Sequence, residues 1–228
     1  INKKTKAIFP VHYAGVSAEM DTIKKIAEAN KLFVAEDAAQ GLMASYKNRP
    51  LGSIGDFGSF SFHETKNIIS GEGGALIVNN NKFLKRAEII REKGTNRSTY
   101  IRGEIDKYTW CDIGSSYLPS EIVSAYLLQQ LNLSKRITEE RLSIWNKYHS
   151  MLLPLEKKGM IKRPEIPYEC KHNGHIYFIL VDNKKRDRII QKLFENNIQA
   201  TSHYEPLHSS KAGIKYCQVS GSMKKTIY

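Results

Sequence analysis

The sequence has little cysteine, with only Cys111, Cys170 and Cys217 among 228 residues. These three stand far apart and form no Cys-x-x-Cys pair, so neither a disulfide framework nor a thiolate metal site is predicted. Sparse, unpaired cysteine is typical of a reducing compartment. We therefore expect a cytoplasmic protein that holds no metal ion.

Long apolar runs are also missing. No stretch reaches the length that crosses a bilayer, and the start lacks the basic, apolar and small-residue pattern of a secretory signal. Proline (7) and glycine (15) are modest, and 41% of the residues are hydrophobic, which argues against disorder. We expect a globular chain that does not enter a membrane.

Charge is the abundant feature, with a formal net charge of +12. A nucleic-acid binder is one interpretation, because basic side chains that neutralise phosphates raise affinity. The lysines and arginines, however, are dispersed and mixed with acids on helix-like segments. We expect no nucleic-acid partner, and a cationic surface that attracts a phosphorylated small molecule fits better.

Apolar periodicity predicts alternating strands and helices. Strands are expected at residues 6–11, 32–35, 57–62, 75–78, 175–181 and 198–203, and helices from Ser17 and at residues 82–93, 120–131, 134–153 and 184–195. This order predicts an α/β fold with a mixed, mainly parallel sheet flanked by helices. We place a large domain at residues 1–140 and a smaller α/β domain at residues 141–228.

Two residues that follow apolar strands can carry chemistry. Asp37 ends one strand, where a carboxylate is costly unless a cation or hydrogen-bond donors meet it. Lys66 follows another strand and precedes the glycine cluster at residues 71–74, so it is a candidate carbonyl-trapping amine. Ser61 can donate to a phosphate oxygen. Taken singly, the aspartate can equally be a structural cap, and the lysine a solvated surface charge.

The arrangement of these residues is more specific than each one alone. Residues 36–40 are EDAAQ, residues 55–67 are GDFGSFSFHETKN and residues 71–74 are GEGG, with PVHYAG at 10–15 and HYEPLH at 203–208. Together they resemble the DegT/DnrJ/EryC1/StrS family of nucleotide-sugar aminotransferases, which are fold-type I enzymes dependent on pyridoxal 5'-phosphate (PLP). The likeness runs over nearly the whole chain.

The resemblance implies roles for four residues. Lys66 would form the Schiff base with the cofactor and then move the proton, and Asp37 would keep the pyridine nitrogen protonated. Gln40 would lie against the ring or its 3-hydroxyl, and Ser61 would bind the phosphate. A dehydratase branch of the family has histidine in place of the lysine, and Lys66 argues against that branch.

Three further positions are assigned through the same resemblance. Residues 114–118 stand where many relatives have Gly-Tyr-Asn-Tyr-Arg, so Ser116 takes the place of an asparagine that reaches the cofactor phosphate of the neighbouring subunit. An ordinary loop serine is the alternative. His63 and His208 are candidate substrate-binding residues, each with a structural role as its alternative.

The implied reaction moves an amino group from glutamate to a nucleotide-linked 4-keto-6-deoxyhexose, with a dTDP sugar favoured, for surface polysaccharide synthesis of the lipopolysaccharide or enterobacterial common antigen type. A homodimer with shared active sites is also implied. Relatives carry a further segment before the position of Ile1 and a longer C-terminal domain, so we expect a piece of a longer protein. A truncated, non-catalytic remnant is the alternative.

Overall fold

The structure is a computed structural model that describes residues 1–219, 221 and 223. It divides into two compact units. The first comprises Ile1–Met151 and Pro164–Phe178, and the second comprises Leu152–Arg163 and Ile179–Tyr228. Within the described part of the chain, no helix is both long and apolar enough to cross a bilayer.

The elements follow one another in an α/β order. In chain order the strands are β1 (Ala7–Ile8), β2 (Phe33–Asp37), β3 (Ser45–Tyr46), β4 (Arg49–Pro50), β5 (Phe57–Ser61), β6 (Gly74–Val78) and β7 (Cys170–Lys171). The helices are α1 (Met20–Asn30), α2 (Leu84–Arg91), α3 (Arg97–Ile101), α4 (Glu121–Asn132), α5 (Ser134–Met151), α6 (Leu153–Lys157), α7 (Asn183–Glu195) and α8 (Lys211–Tyr216). Short 3₁₀ turns cover Tyr13–Gly15 and Asn81–Phe83.

A mixed four-stranded sheet with the order β1-β2-β5-β6 forms the centre of the first unit. Strand β2 runs parallel to β1 and β5, whereas β6 is antiparallel to β5. Helix α1 connects the parallel strands β1 and β2, which gives a βαβ unit. The carboxyl ends of β2 and β5 lie side by side, with Asp37 opposite Ser59, so the loops that follow them meet at one edge.

The core lies between this sheet, α1 and the loop after β2. Met20 and Ala27 of α1 are buried on one face of the helix, and Val34 of β2 packs with them. The buried cluster also contains Ala38, Ala44, Tyr46, Leu51, Ile54 and Cys170. Burial of this apolar surface, at roughly 25 cal/mol per Å² removed from water, fixes α1 against β2.

A small antiparallel sheet with the order β4-β3-β7 returns the chain to the first unit. Tyr46 of β3 pairs with Cys170 of β7, although 124 residues separate them in the sequence (170 minus 46). This pairing places the segment that follows β7 beside the loop after β2. Residues far from Lys66 in sequence thereby reach the same region as Lys66.

Helix α5 is held to that returning segment by an aromatic cluster. Trp145 is only 6% exposed and its indole N–H donates to the carbonyl of Ile176 at 3.1 Å. Its ring lies 4.7 Å from that of His149, 4.5 Å from His172 and 5.2 Å from Tyr177. Burial lowers the pKa of His172, and the nearby positive charge of His149 lowers it further, so a neutral imidazole packs against the indole.

The helices α6, α7 and α8 are the regular elements that the structure describes in the second unit. Asp182 caps α7 by accepting from the amide of Lys184 at 2.9 Å, and Ser210 caps α8 by accepting from Gly213 at 3.0 Å. An isolated bridge joins Lys162 to Leu180. The far end of the domain predicted for residues 141–228, at residues 220, 222 and 224–228, lies outside the described residues.

The structure confirms the predicted α/β class and most predicted elements, but the predicted Ser17 cap and two predicted strands were wrong. Ser17 does not cap α1, because its hydroxyl bonds to the carbonyl of Ala18 and Glu19 takes the cap position. The strands expected at 175–181 and 198–203 do not form among the described residues, because only Leu180 finds a pairing partner. The boundary near residue 140 stays a prediction, and that residue lies inside α5.

Replacing Trp145 with alanine should destabilise the first unit by about 3–5 kcal/mol, because the change leaves a cavity and an unpaired carbonyl. Trp110, which is 78% exposed, is the matched control, and Trp110→Ala should cost about 0.5 kcal/mol or less. Urea unfolding followed by far-ultraviolet circular dichroism measures both. Equal losses for the two variants would contradict this account of the cluster.

Candidate active site

The loop that follows β2 is organised around one buried carboxylate. Glu36 is 1% exposed, and both of its oxygens are fully used. Oε1 accepts from the amides of Ile54 and Gly55 at 2.6 Å each, and Oε2 accepts from the amide of Gly52 at 2.9 Å and from His12 Nε2 at 2.8 Å. A buried carboxylate is stable only when it is satisfied in this way.

The partner histidine is held in one tautomer. The amide of Ala18 donates to His12 Nδ1 at 3.1 Å, so the ring proton is on Nε2, which faces Glu36. Burial by itself raises the pKa of the Glu36 carboxyl, but the hydrogen bond from His12 and the amides of the loop outweigh it. The net effect is a pKa below the ordinary value of 4.5, so Glu36 is ionised at neutral pH.

Close approach of the backbone makes this arrangement possible. A Cβ at Gly58 would lie 2.2 Å from the carbonyl oxygen of Gly52, and a Cβ at Gly55 would lie 2.6 Å from that of Val34. Only glycine fits at these two positions without moving the backbone. The amides of the loop before β5 can therefore reach Glu36.

Asp37 ends β2 next to this network. Its amide donates to the carbonyl of Pro10 at 2.9 Å, and its carbonyl accepts from the amide of His12 at 3.0 Å. Oδ1 accepts from the amide of Ala39 at 3.0 Å. Among the described residues, Oδ2 receives no hydrogen bond and no cation pairs with it. The strand end thus holds a half-buried carboxylate with a free oxygen.

A narrow cleft collects the other candidate groups at the same edge of the sheet. Six polar residues line it: Gln40, Ser61, Lys66, Asn67, Asn173 and His175. The amide of Lys66 donates to the carbonyl of His63 at 2.9 Å, which turns the chain after β5. The Lys66 amine has neither an acceptor nor a carboxylate partner among the described residues. It is a half-buried and uncommitted amine.

Gln40 and Ser61 keep donors available on the cleft. Gln40 Oε1 accepts from the amide of Ala14 at 2.6 Å, which leaves the amide nitrogen of its side chain unused. The Ser61 hydroxyl oxygen accepts from the amide of His63 at 3.3 Å, and its proton remains free to donate. The structure therefore brings together Gln40, Ser61 and Lys66, with Asp37 three residues before Gln40. Their roles stay predictions.

The other three candidates lie elsewhere. His63 does not line the cleft, since its Nδ1 contacts the Thr65 hydroxyl at 2.9 Å and its Nε2 lies 3.6 Å from Glu72. Ser116 is exposed, and its backbone forms an isolated antiparallel β-bridge with Glu92. His208 belongs to the second unit, where its buried Nε2 has no hydrogen-bond partner within residues 1–219, 221 and 223. The phosphate-binding role of Ser116 and the substrate-binding roles of His63 and His208 stay predictions.

Sequence reasoning missed Asn67, Asn173 and His175, all of which line the cleft. Asn67 directly follows Lys66, and that position was a usable signal. Asn173 and His175 lie more than a hundred residues further on and were assigned to the smaller domain. Nothing in the described residues brings three histidine, cysteine or carboxylate side chains together as a metal site requires.

Comparison with known proteins assigns the chain to a family. The model of the DegT/DnrJ/EryC1/StrS aminotransferase family matches residues 1–226. The chain belongs to this family. The resemblance seen in residues 36–40, 55–67 and 71–74 is thereby confirmed.

Curated relatives are longer than this chain. An uncharacterized protein of Methanocaldococcus jannaschii is 37% identical over 215 residues, which cover 91% of this chain and 55% of the relative. The spore coat polysaccharide biosynthesis protein SpsC of Bacillus subtilis is 31% identical over 216 residues, with the same two coverages. The chain spans about half the length of the curated relatives it matches.

Solved structures agree with the fold. PseC of Helicobacter pylori, an aminotransferase involved in the biosynthesis of pseudoaminic acid, matches with a TM-score of 0.86 and 25% identity over 98% of this chain and 59% of its own. DesV of S. venezuelae matches with a TM-score of 0.86 and 26% identity over all of this chain and 58% of its own. The α/β fold predicted from the sequence is the fold of these aminotransferases.

Replacing Glu36 with glutamine should destabilise the fold by about 3 kcal/mol near pH 7, because a side-chain amide would face backbone donors. The folded pKa of Glu36 is lowered, so its contribution is present above pH 4.5 and is lost as the pH falls through the folded value. The difference from the unaltered chain should therefore shrink in acid. Urea unfolding at a series of pH values measures it.

Glu139, an exposed carboxylate on α5, is the control, and Glu139→Gln should change the free energy of unfolding by about 0.5 kcal/mol or less. A loss for Glu36→Gln that stays constant, or grows, toward acid pH would show that the carboxylate charge does not stabilise this loop.

Proposed function

We propose that this chain is the lysine-bearing part of a PLP-dependent sugar aminotransferase. The observation that carries the proposal is the uncommitted amine of Lys66 on a cleft beside Gln40 and Ser61, next to the strand end that holds Asp37. The family match supports an aminotransferase, and the neighbours named for sugar and polysaccharide pathways support a sugar substrate.

The residues of the cleft fit PLP. An aldehyde cofactor needs a free amine, and Lys66 supplies one. A protonated pyridine nitrogen needs a carboxylate, and the free Oδ2 of Asp37 supplies it. A phosphate needs a hydrogen-bond donor, and the hydroxyl proton of Ser61 is unused among the described residues. The side-chain nitrogen of Gln40 is likewise unused there and can face the ring or its 3-hydroxyl. When bound, PLP supplies an electron sink that weakens a C–H bond next to the amine nitrogen.

The chain's own residues would then divide the work. Lys66 would hold the cofactor covalently and, once released, accept and return the proton at the reacting carbon. Asp37 would keep its negative charge beside the ring nitrogen and so keep that nitrogen protonated. Glu36 and His12 would take no part in the reaction, but their buried pair would keep the strand end in place.

The finer substrate assignment is also a proposal. Glutamate would be the amino donor and a nucleotide-linked 4-keto-6-deoxyhexose the acceptor, with a dTDP sugar favoured. Residues 91–97 (REKGTNR) and 107–110 (KYTW) resemble the dTDP-4-amino-4,6-dideoxygalactose transaminase of enterobacterial common antigen synthesis. The net charge of +12 suits an anionic nucleotide sugar. A cytoplasmic homodimer with shared sites, to which Ser116 contributes, completes the proposal.

A truncated, non-catalytic remnant of such an enzyme is the second candidate. The chain spans 55% of the length of its curated relatives, and this candidate concerns the activity of that part alone. The two candidates differ in whether the Lys66 cleft reacts with the cofactor and the chain transaminates.

The test is the absorbance of the purified chain with added PLP. We expect a visible band that disappears in Lys66→Ala, because the amine is the group that bonds to the cofactor. Lys85, which is exposed on α2, is the control, and Lys85→Ala should keep the band. A band that survives Lys66→Ala would exclude Lys66 as the reactive amine.

Transamination separates the two candidates. The unaltered chain is incubated with glutamate and a dTDP-4-keto-6-deoxyhexose, and the amino sugar is detected by mass spectrometry. Amino sugar that forms only when Lys66 is present supports the enzyme. A lysine-dependent band without amino sugar favours the remnant.

A further inference from the structure

The cleft contains a histidine for which the proposed reaction has no use so far. His175 is only 7% exposed, yet it lines the same cleft as Lys66. It belongs to the segment that follows β7, so its position there depends on the long-range pairing between β3 and β7. A buried imidazole on the same cleft as a reactive amine is a candidate for a functional role.

Two asparagines fix the ring of His175. Asn67, the residue after Lys66, contacts His175 Nδ1 through its Oδ1 at 2.9 Å, and its own amide nitrogen donates to the carbonyl of Asn173 at 3.0 Å. Asn173 is 1% exposed, and its Oδ1 accepts from the amide of His175 at 3.1 Å. The imidazole is therefore held from its Nδ1 side and from its own backbone.

Asn173 also joins this group to the loop after β2. Its side-chain nitrogen donates to the carbonyls of Gln40 at 2.7 Å and Leu42 at 2.8 Å. Both side-chain atoms of Asn173 are thereby satisfied. One buried residue, Asn173, connects the cleft wall that carries Gln40, the turn that carries Lys66, and His175.

These bonds determine the tautomer of His175. Asn67 uses its nitrogen on a carbonyl, so the atom that faces the imidazole is an oxygen, which can only accept. Nδ1 must then carry the proton. Nε2 is left with a lone pair, and among the described residues it accepts no hydrogen bond. The cleft thus contains an amine without an acceptor and an imidazole acceptor without a donor.

The charges around His175 keep it neutral. Burial is the largest cause of a lowered pKa, and the positive charges of Lys66 and Arg141 lower it further, to about 4. Arg141 approaches from α5, where its guanidinium donates to the carbonyls of Gly174 at 3.2 Å and His175 at 2.6 Å. The repulsion between Lys66 and a protonated His175 follows from the position of both groups on one cleft.

We propose that His175 is a positioning residue for Lys66. Its Nε2 would accept a hydrogen bond from the Lys66 amine. The proposal rests on the proposed function for the role of Lys66, but not for the contact itself. The neutral imidazole would hold the lysine side chain toward the cleft, where the amine, once it has lost its proton, can attack an incoming carbonyl group. Because the ring is fixed by Asn67 and Asn173, the Lys66 side chain is the group that turns to form this bond.

The first test measures His175 without any cofactor. The C2 proton of His175 is followed by NMR through a pH titration of the unaltered chain and of Lys66→Met, which removes the charge and keeps the length of the side chain. The His175 pKa should rise in Lys66→Met, because one of the charges that lower it has gone. It should stay below the ordinary 6.5, since burial remains.

Lys85→Met on α2 is the control and should leave the His175 titration unchanged. A purely structural histidine that does not interact with Lys66 would titrate identically in the unaltered chain and in Lys66→Met. That result would overturn the proposal, whether or not the chain binds PLP.

The second test separates the two ring nitrogens. An asparagine at position 175 can replace Nδ1 toward Asn67 but offers no acceptor at the place of Nε2, whereas a glutamine places its oxygen near Nε2. PLP is added with cyanoborohydride, and the reduced adduct on Lys66 is quantified over time by mass spectrometry. We expect His175→Asn to slow the modification about two- to tenfold, the range that one neutral hydrogen bond supports, and His175→Gln to restore most of the rate.

The outcomes distinguish the two proposals. If Lys66 of the unaltered chain is modified no faster than exposed lysines such as Lys85, the proposed function fails, while the titration still decides the contact with His175. If Lys66 is modified rapidly and equally in the unaltered chain and a folded His175→Asn variant, the positioning role is excluded. Thermal melts of both His175 variants establish that each is folded.

Discussion

The pair formed by Glu36 and His12 is the interaction on which the rest of the site depends. A carboxylate that is 1% exposed is tolerated only because four donors converge on it, and those donors come from the β1–α1 connection and from the loop before β5. Every one of these bonds constrains the end of β2. Asp37 therefore has a fixed position, although its own side chain makes only one local hydrogen bond.

Local patterns predicted the elements that are stabilised locally. Short apolar segments indicated β2, β5 and β6, and apolar periodicity indicated α4 and α5, because each of these elements carries its own signal. The strands expected at 175–181 and 198–203 have the same kind of signal, but a strand also needs a neighbour to pair with. Pairing is a property of the whole fold, and composition does not report it.

The candidate site likewise contains some residues that a local motif indicates and others that only long-range pairing brings there. Lys66, Ser61 and Gln40 were found because they stand in contiguous motifs near strand ends, and the structure brings them to one cleft. His175 and Asn173 carry no such motif, and their place depends on the β3–β7 pairing. A position that depends on long-range pairing leaves no local pattern, so the second group cannot be found from the sequence alone.

The bonds of Asn173 also bear on how the protein is made. Its side chain reaches back 133 residues to the carbonyl of Gln40 and 131 residues to that of Leu42. Contacts of such sequence separation form slowly, because a long loop must close, with a loss of chain entropy, before these contacts lower the free energy. During synthesis, the cleft wall that carries Gln40 emerges from the ribosome long before Asn173 does. Until residue 173 is translated, the carbonyls of Gln40 and Leu42 lack their Asn173 donor, so this wall of the cleft is completed late in synthesis.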